Sequence, residues 1–154
     1  MIELLITGLL VFSSVPEKIR SLSPTVSSST ILGVQSGLKS CKDINLTLAI
    51  IKVESDFRIS AVNKHSNDYG IMQINDWHVK RYKYSRKKLI SDIKYNMSIG
   101  CSILDELTRK HDLLESVSRY NCGYRRGCKD WTSVKKYVKR VLRYKRRLDL
   151  IDLK

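Results

Sequence analysis

The chain has 154 residues and a formal net charge of +14, with an apolar content of 42%. This length allows one domain with a packed core and a short extension at either end, and excludes a second full domain. Folding does not need such a charge surplus, so a polyanionic partner is implied. Nucleic acid, anionic lipid and the acidic bacterial envelope all fit, and charge alone does not choose among them.

The apolar run from Ile2 to Phe12 reads as the core of an export signal rather than a core helix, with the small residues Ser13 and Ser14 at its end. No Lys or Arg precedes it, and Glu3 sits where a positive charge is expected. The run is short for a bilayer span, and no second candidate span follows. Residues 1–15 are assigned to this segment. From 16 to 40 the chain is rich in Ser and Thr, carries Pro16 and Pro24, and has few large apolar residues, which reads as a linker or loosely ordered lead-in.

The domain proper is placed at 41–130. Asp43 or Asn45 can cap a helix in which Leu46, Ala49, Ile50 and Val53 recur at helical spacing, with Phe57 completing the stripe. Glu54 lies at the border of that apolar face. Residues 58–69 are rich in turn formers: Asn63, Ser66, Asn67 and Asp68. Gly70 allows close backbone approach, and Ile71 to Ile74 form a short apolar turn or small strand. Asn96, Ile99, Gly100, Ile103, Leu104 and Leu107 pattern a longer helix ending near Lys110, and 113–120 a shorter one. No alternation of strands and helices and no internal repeat is present, so the fold is mainly α with at most a minor β-hairpin.

Residues 131–154 form a basic C-terminal helix. Val134, Val138, Val141 and Leu142 line one face, and Lys135, Lys136, Lys139, Arg140, Arg143, Lys145, Arg146 and Arg147 crowd the rest. A solvated terminal face and a surface that holds the protein on an anionic envelope or membrane are equally compatible with this pattern. The four cysteines, Cys41, Cys101, Cys122 and Cys128, suit disulfides ahead of free thiols, with the connectivity left open. A zinc site is disfavoured, because six positions separate Cys122 from Cys128 and the usual ligand spacer is shorter. No metal and no cofactor are expected.

Three strings carry the chemistry: Val53-Glu54-Ser55-Asp56-Phe57, then Asp68-Tyr69-Gly70-Ile71-Met72-Gln73-Ile74-Asn75, then Ser118-Arg119-Tyr120-Asn121-Cys122-Gly123. In this order and at this spacing they resemble the catalytic domain of the soluble lytic transglycosylases, lysozyme-like enzymes that cut the glycan strands of bacterial peptidoglycan. The resemblance covers roughly Ser40 to Gly123. It implies that Glu54 is the catalytic acid and that Ser55, Gly70, Met72, Gln73, Tyr120 and Asn121 bind substrate. Met72 would pack on a sugar face, Gln73 would hydrogen-bond substrate groups, and the Tyr120 hydroxyl would reach the catalytic carboxyl. A lysozyme-like helical domain is implied as well. The pattern is further similar to the small members that accompany secretion systems, conjugation machines and phages, which implies an exported or phage-delivered protein acting at the envelope. Arg119 and Cys122 depart from the family's pattern, which has small residues there.

A glycosidic bond breaks when a proton reaches the leaving oxygen as positive charge grows on the sugar. A Glu supplies that proton only if an apolar setting keeps it protonated, and Val53, Phe57 and Ala49 are available neighbours. The family uses a single Glu as acid and then as base, giving a 1,6-anhydro sugar. Asp56, two positions from Glu54, points away from it on a helix, whereas Asp68 can face the cleft, so a hydrolytic, goose-type lysozyme reading stays open. A non-enzymatic nucleic-acid binder is the rival from another class. It would want a helix-turn-helix or an aromatic platform, neither of which is found, so nucleic acid is not expected as a partner.

Overall fold

The computed structural model describes residues 14–153, so the apolar segment expected to act as an export signal lies almost wholly outside the described residues. The chain folds into α1 (Val15–Leu22), α2 (Ser28–Gly37), α3 (Ile44–Glu54), α4 (Asp76–Tyr82), α5 (Arg86–Leu89), α6 (Ile93–Lys110), α7 (Leu113–Cys122) and α8 (Thr132–Ile151). Short 3-10 turns stand at Leu38–Ser40 and Cys128–Asp130. The minor β element is an antiparallel sheet of three two-residue strands in the order β1 (Val62–Asn63), β2 (Asp68–Tyr69), β3 (Ile74–Asn75). Its register pairs Val62 with Tyr69 and Asp68 with Asn75. The mainly α, lysozyme-like expectation holds.

The 16–40 stretch is not a loose lead-in. Val15, Ile19 and Leu22 fall on one face of α1 and are buried, and Ile31 and Val34 do the same for α2. Pro16 occupies the first turn of α1, where its missing N–H costs nothing. Ser27 caps α2 by accepting from the Thr30 N–H at 3.2 Å. The Ser and Thr that look like linker composition are therefore helix caps and turns, and the sparse apolar residues sit at the few positions that reach the core.

Helix α3 is the centre of the molecule. Asp43 caps it, accepting from Leu46 N–H at 2.8 Å. Every residue from Asn45 to Ile51 is buried, as expected of a helix covered on all sides. Helix α8 packs against it in the opposite direction: Tyr137 meets Glu54 at one end, and Asp149 meets Asn45 at the other. The basic helix is thus a wall of the domain, not an appendage after residue 130.

At the far end an ion network around a buried ammonium ties three helices. Lys18 of α1 is 1% exposed; its ammonium meets Asp152 at 2.5 Å and donates to Asn45 Oδ1 at 3.0 Å. Asn45 Nδ2 in turn donates to Asp149 and Asp152, both at 2.8 Å. An ammonium that deep needs partners, and Asp152 supplies a carboxylate and Asn45 an amide oxygen.

The cysteines form two disulfides, Cys41–Cys101 and Cys122–Cys128. The first spans 60 positions of sequence and the second 6. If constraint of the unfolded chain dominates, the long bridge contributes about 4 kcal/mol and the short one about 2 kcal/mol. Cys41→Ser/Cys101→Ser should therefore lower the urea midpoint more than Cys122→Ser/Cys128→Ser; equal losses would show that loop length is not what matters.

Candidate active site

Glu54 is the last residue of α3. The helix stops there because the next two residues after Ser55, Asp56 (φ 52°) and Phe57 (φ 62°), adopt left-handed backbone conformations. Such conformations cost free energy in non-glycine residues and mark places where the surrounding structure dictates the turn. Phe57 is buried and Asp56 is turned outward to Lys52 at 2.5 Å and Ser23 at 3.0 Å. Asp56 is thus occupied elsewhere, as its position suggested.

The Glu54 carboxyl receives the Tyr137 hydroxyl at 2.6 Å. Burial pushes its pKa from 4.5 to about 7; the Tyr137 hydrogen bond and the Arg140 charge pull it down, and the Asp68 charge pushes it up. The negative end of the α3 dipole works in the same upward direction as burial. Tyr137 itself is held well above the ordinary phenol value, by burial first and then by the Glu54 charge, so it stays a neutral donor. A phenol hydrogen-bonds the carboxyl without adding the positive charge that would ionise it.

The second string forms the turn beside this carboxyl. Gly70 (φ 78°) is buried against the Leu89 carbonyl and the Asn96 amide, where a β-carbon would overlap both. Asn96, 1% exposed, accepts from Met72 N–H at 2.9 Å and donates to the carbonyls of Tyr69 and Leu89 at 2.9 and 3.0 Å. Ser55 Oγ donates to the Ile71 carbonyl at 2.7 Å, tying the end of α3 to the same turn. The Gln73 amide donates to the carbonyls of Ala61 and Gly70 at 3.1 and 2.8 Å. Tyr120 Oη donates to the Met72 carbonyl at 3.0 Å.

Several expected roles are corrected by this geometry. Met72 is fully buried and packs on Gly100, so it does not meet a sugar face. Ser55 and Gly70 are buried too and shape the site from behind. Gln73 spends its amide nitrogen on backbone. Tyr120 reaches the Met72 carbonyl, not the carboxyl, and its place beside Glu54 is taken by Tyr137. Asn121 is exposed on α7. Arg119 pairs with Glu115 at 2.6 Å and stacks its guanidinium 4.6 Å from the Tyr124 ring centre.

Sequence reasoning missed Tyr137 and Asn96. Tyr137 carried a signal: it stands on the Val134–Val138–Val141 face of a basic helix, and a tyrosine on a core face needs a partner for its hydroxyl. Asn96 begins a helix pattern on the buried side, where a polar side chain has to be satisfied. Neither signal names the partner.

The Transglycosylase SLT domain family matches residues 35–142, and the chain belongs to that family. Among its relatives are Protein IpgF of Shigella flexneri, 41% identical over 86 residues, which covers 51% of this chain and 57% of the relative. Invasion protein IagB of Salmonella typhi is 35% identical over 85 residues, covering 51% of this chain and 53% of the relative. The chain spans little more than half the length of these relatives.

Because Glu54 holds its proton to about pH 7 in the folded state and releases it near 4.5 unfolded, the native state binds more protons between those values, and this group's contribution to stability falls as pH rises through that window. Glu54→Gln lacks the effect. Wild-type stability should drop relative to Glu54→Gln by up to about 3 kcal/mol from pH 4.5 to above 7. In carbon-detected NMR titrations, Tyr137→Phe should move the Glu54 midpoint higher still. A midpoint near the ordinary glutamate value in both proteins would show that the carboxyl is not desolvated.

Asn96→Leu should cost roughly 2–5 kcal/mol in urea unfolding, since it strands three backbone groups in the core. A loss under 1 kcal/mol, on the scale of an ordinary surface change, would mean that the turn is held without it.

Proposed function

We propose that this protein is a peptidoglycan lytic transglycosylase that cleaves the β-1,4 bond between N-acetylmuramic acid and N-acetylglucosamine. The observation that supports the reading is the Glu54 carboxyl at the end of α3, which accepts the Tyr137 hydroxyl at 2.6 Å and which burial holds protonated to about pH 7. Glu54 donates that proton to the glycosidic oxygen as the bond from muramic acid C1 to this oxygen breaks. The resulting carboxylate then takes the proton of the muramic acid C6 hydroxyl while that oxygen bonds to C1. The product is a 1,6-anhydromuramoyl end, no water is consumed, and Glu54 finishes protonated.

A hydrolytic, goose-type muramidase would need water positioned at C1. Asp68 is the carboxylate whose charge reaches Glu54. Its oxygens are engaged by Ser66 Oγ and by Asn75 Nδ2, the latter at 2.6 Å. This engagement favours the single-acid scheme. The two disulfides favour action outside the cytoplasm, in the periplasm or envelope, or after phage delivery. The likeness to an invasion protein favours local wall opening for a secretion apparatus.

Glu54→Gln should lower release of soluble muropeptides from purified sacculi by about 10²–10⁴-fold while leaving the fold intact. Wild-type rates in that variant would sink the assignment. Mass spectrometry of the products separates the two chemistries: anhydro ends are lighter than reducing ends by one water, and reducing ends would establish the muramidase.

A further inference from the structure

Helix α8 carries two sets of exposed cations. Lys136, Arg140, Arg143 and Arg147, spaced by four, three and four residues, share the side of the helix that borders Tyr137. Lys135, Lys139 and Arg146 form a neighbouring row about a quarter-turn further round the helix, on the side away from Tyr137. Among the described residues none of the first four is paired with a carboxylate, whereas Lys145 on the same helix meets both Asp43 and Asp149. Unpaired, same-sign charges in a row repel one another and raise the energy of the free protein, so a polyanion that neutralises them gains the difference.

The row is continuous with the catalytic site. Tyr137, whose hydroxyl is 2.6 Å from Glu54, is one helical turn from Arg140. The row then runs about 16 Å along α8 from Lys136 to Arg147. Arg140 is near enough for its charge to act on Glu54, where it opposes the protonated state the chemistry needs. A cation placed at that cost suits a ligand that brings its own negative charge to the site. A membrane or a nucleic acid would have no reason to begin at the catalytic carboxyl. A glycan strand whose muramic acids bear peptide stems ending in carboxylates does.

We propose that Lys136, Arg140, Arg143 and Arg147 form a track that binds the peptide-stem carboxylates of the glycan strand being cut. This deepens the transglycosylase reading and rests on it for the identity of the strand. Recognition is through free carboxylates, so amidated stems are poor ligands, and binding weakens as salt rises.

Binding in the Glu54→Gln background isolates the track from catalysis. Kd is measured for soluble glycan strands with free stem carboxylates and for the same strands after carbodiimide amidation with ammonia. The parent should bind the free-carboxylate strands about tenfold more tightly than the amidated ones. Changing Lys136, Arg140, Arg143 and Arg147 together to Gln should erase that preference, while Lys135, Lys139 and Arg146 to Gln should keep it. Equal preference in both variants, or loss in both, overturns the track and leaves diffuse charge as the explanation. Front-row cations that are needed for phosphatidylglycerol vesicle binding but not for the carboxylate preference would overturn it in favour of a lipid surface. Cleavage of sacculi by the wild type is scored separately and tests only the catalytic reading.

Discussion

The hydrogen bond from Tyr137 to Glu54 is the contact on which the site depends. It joins residues 83 positions apart and closes the end of α3 against the start of α8. A carboxyl in that place needs two properties that work against each other: removal from water, which holds its proton, and a fixed direction, which takes a hydrogen bond. A lysine or arginine would supply the direction and destroy the acidity. A phenol supplies direction with far less effect on charge, and it stays a donor because it is buried itself.

Around that contact the chain holds a turn with hydrogen bonds from side chains to backbone. Ser55, Asn96, Gln73 and Tyr120 each spend a side-chain donor on a main-chain carbonyl in or beside the turn from Tyr69 to Gln73. Left-handed residues at Asp56, Phe57 and Gln73 flank it. Strain of this kind is tolerated where packing over-determines the backbone, and Met72, locked on Gly100, provides that packing. Ser55, Gly70, Met72 and Gln73 of the motifs thus shape and hold the turn beside the Glu54 carboxyl.

Helix α8 serves the core and the surface at once. Its apolar face and Tyr137 complete the interior, and its C-terminal end joins the Lys18–Asn45–Asp152 network around the buried ammonium. The rest of its surface is cationic. Division of labour between faces is what lets a helix with so many Lys and Arg remain integral to a small domain. It also puts positive charge beside the acid.

Much was legible in the sequence. The α3 stripe from Leu46 to Val53 and the cap at Asp43 are local and were read nearly to the residue, because helix period and capping involve only neighbours in sequence. The three strings located Glu54 and the turn beside it. Residues 16–40 misled because Ser-rich composition averages over the few positions, Ile19, Leu22, Ile31 and Val34 among them, that fix α1 and α2 to the core. Four cysteines suggested bridges, but the pairing of Cys41 with Cys101 required two segments 60 positions apart to meet. Tertiary structure alone decided that the Tyr beside the acid is Tyr137 and not Tyr120, and that Met72 faces inward. The acidity of Glu54 and the partners of Asn96 and Lys18 depend on distances between segments remote in sequence, and desolvation is set by everything that packs around a group rather than by its neighbours along the chain.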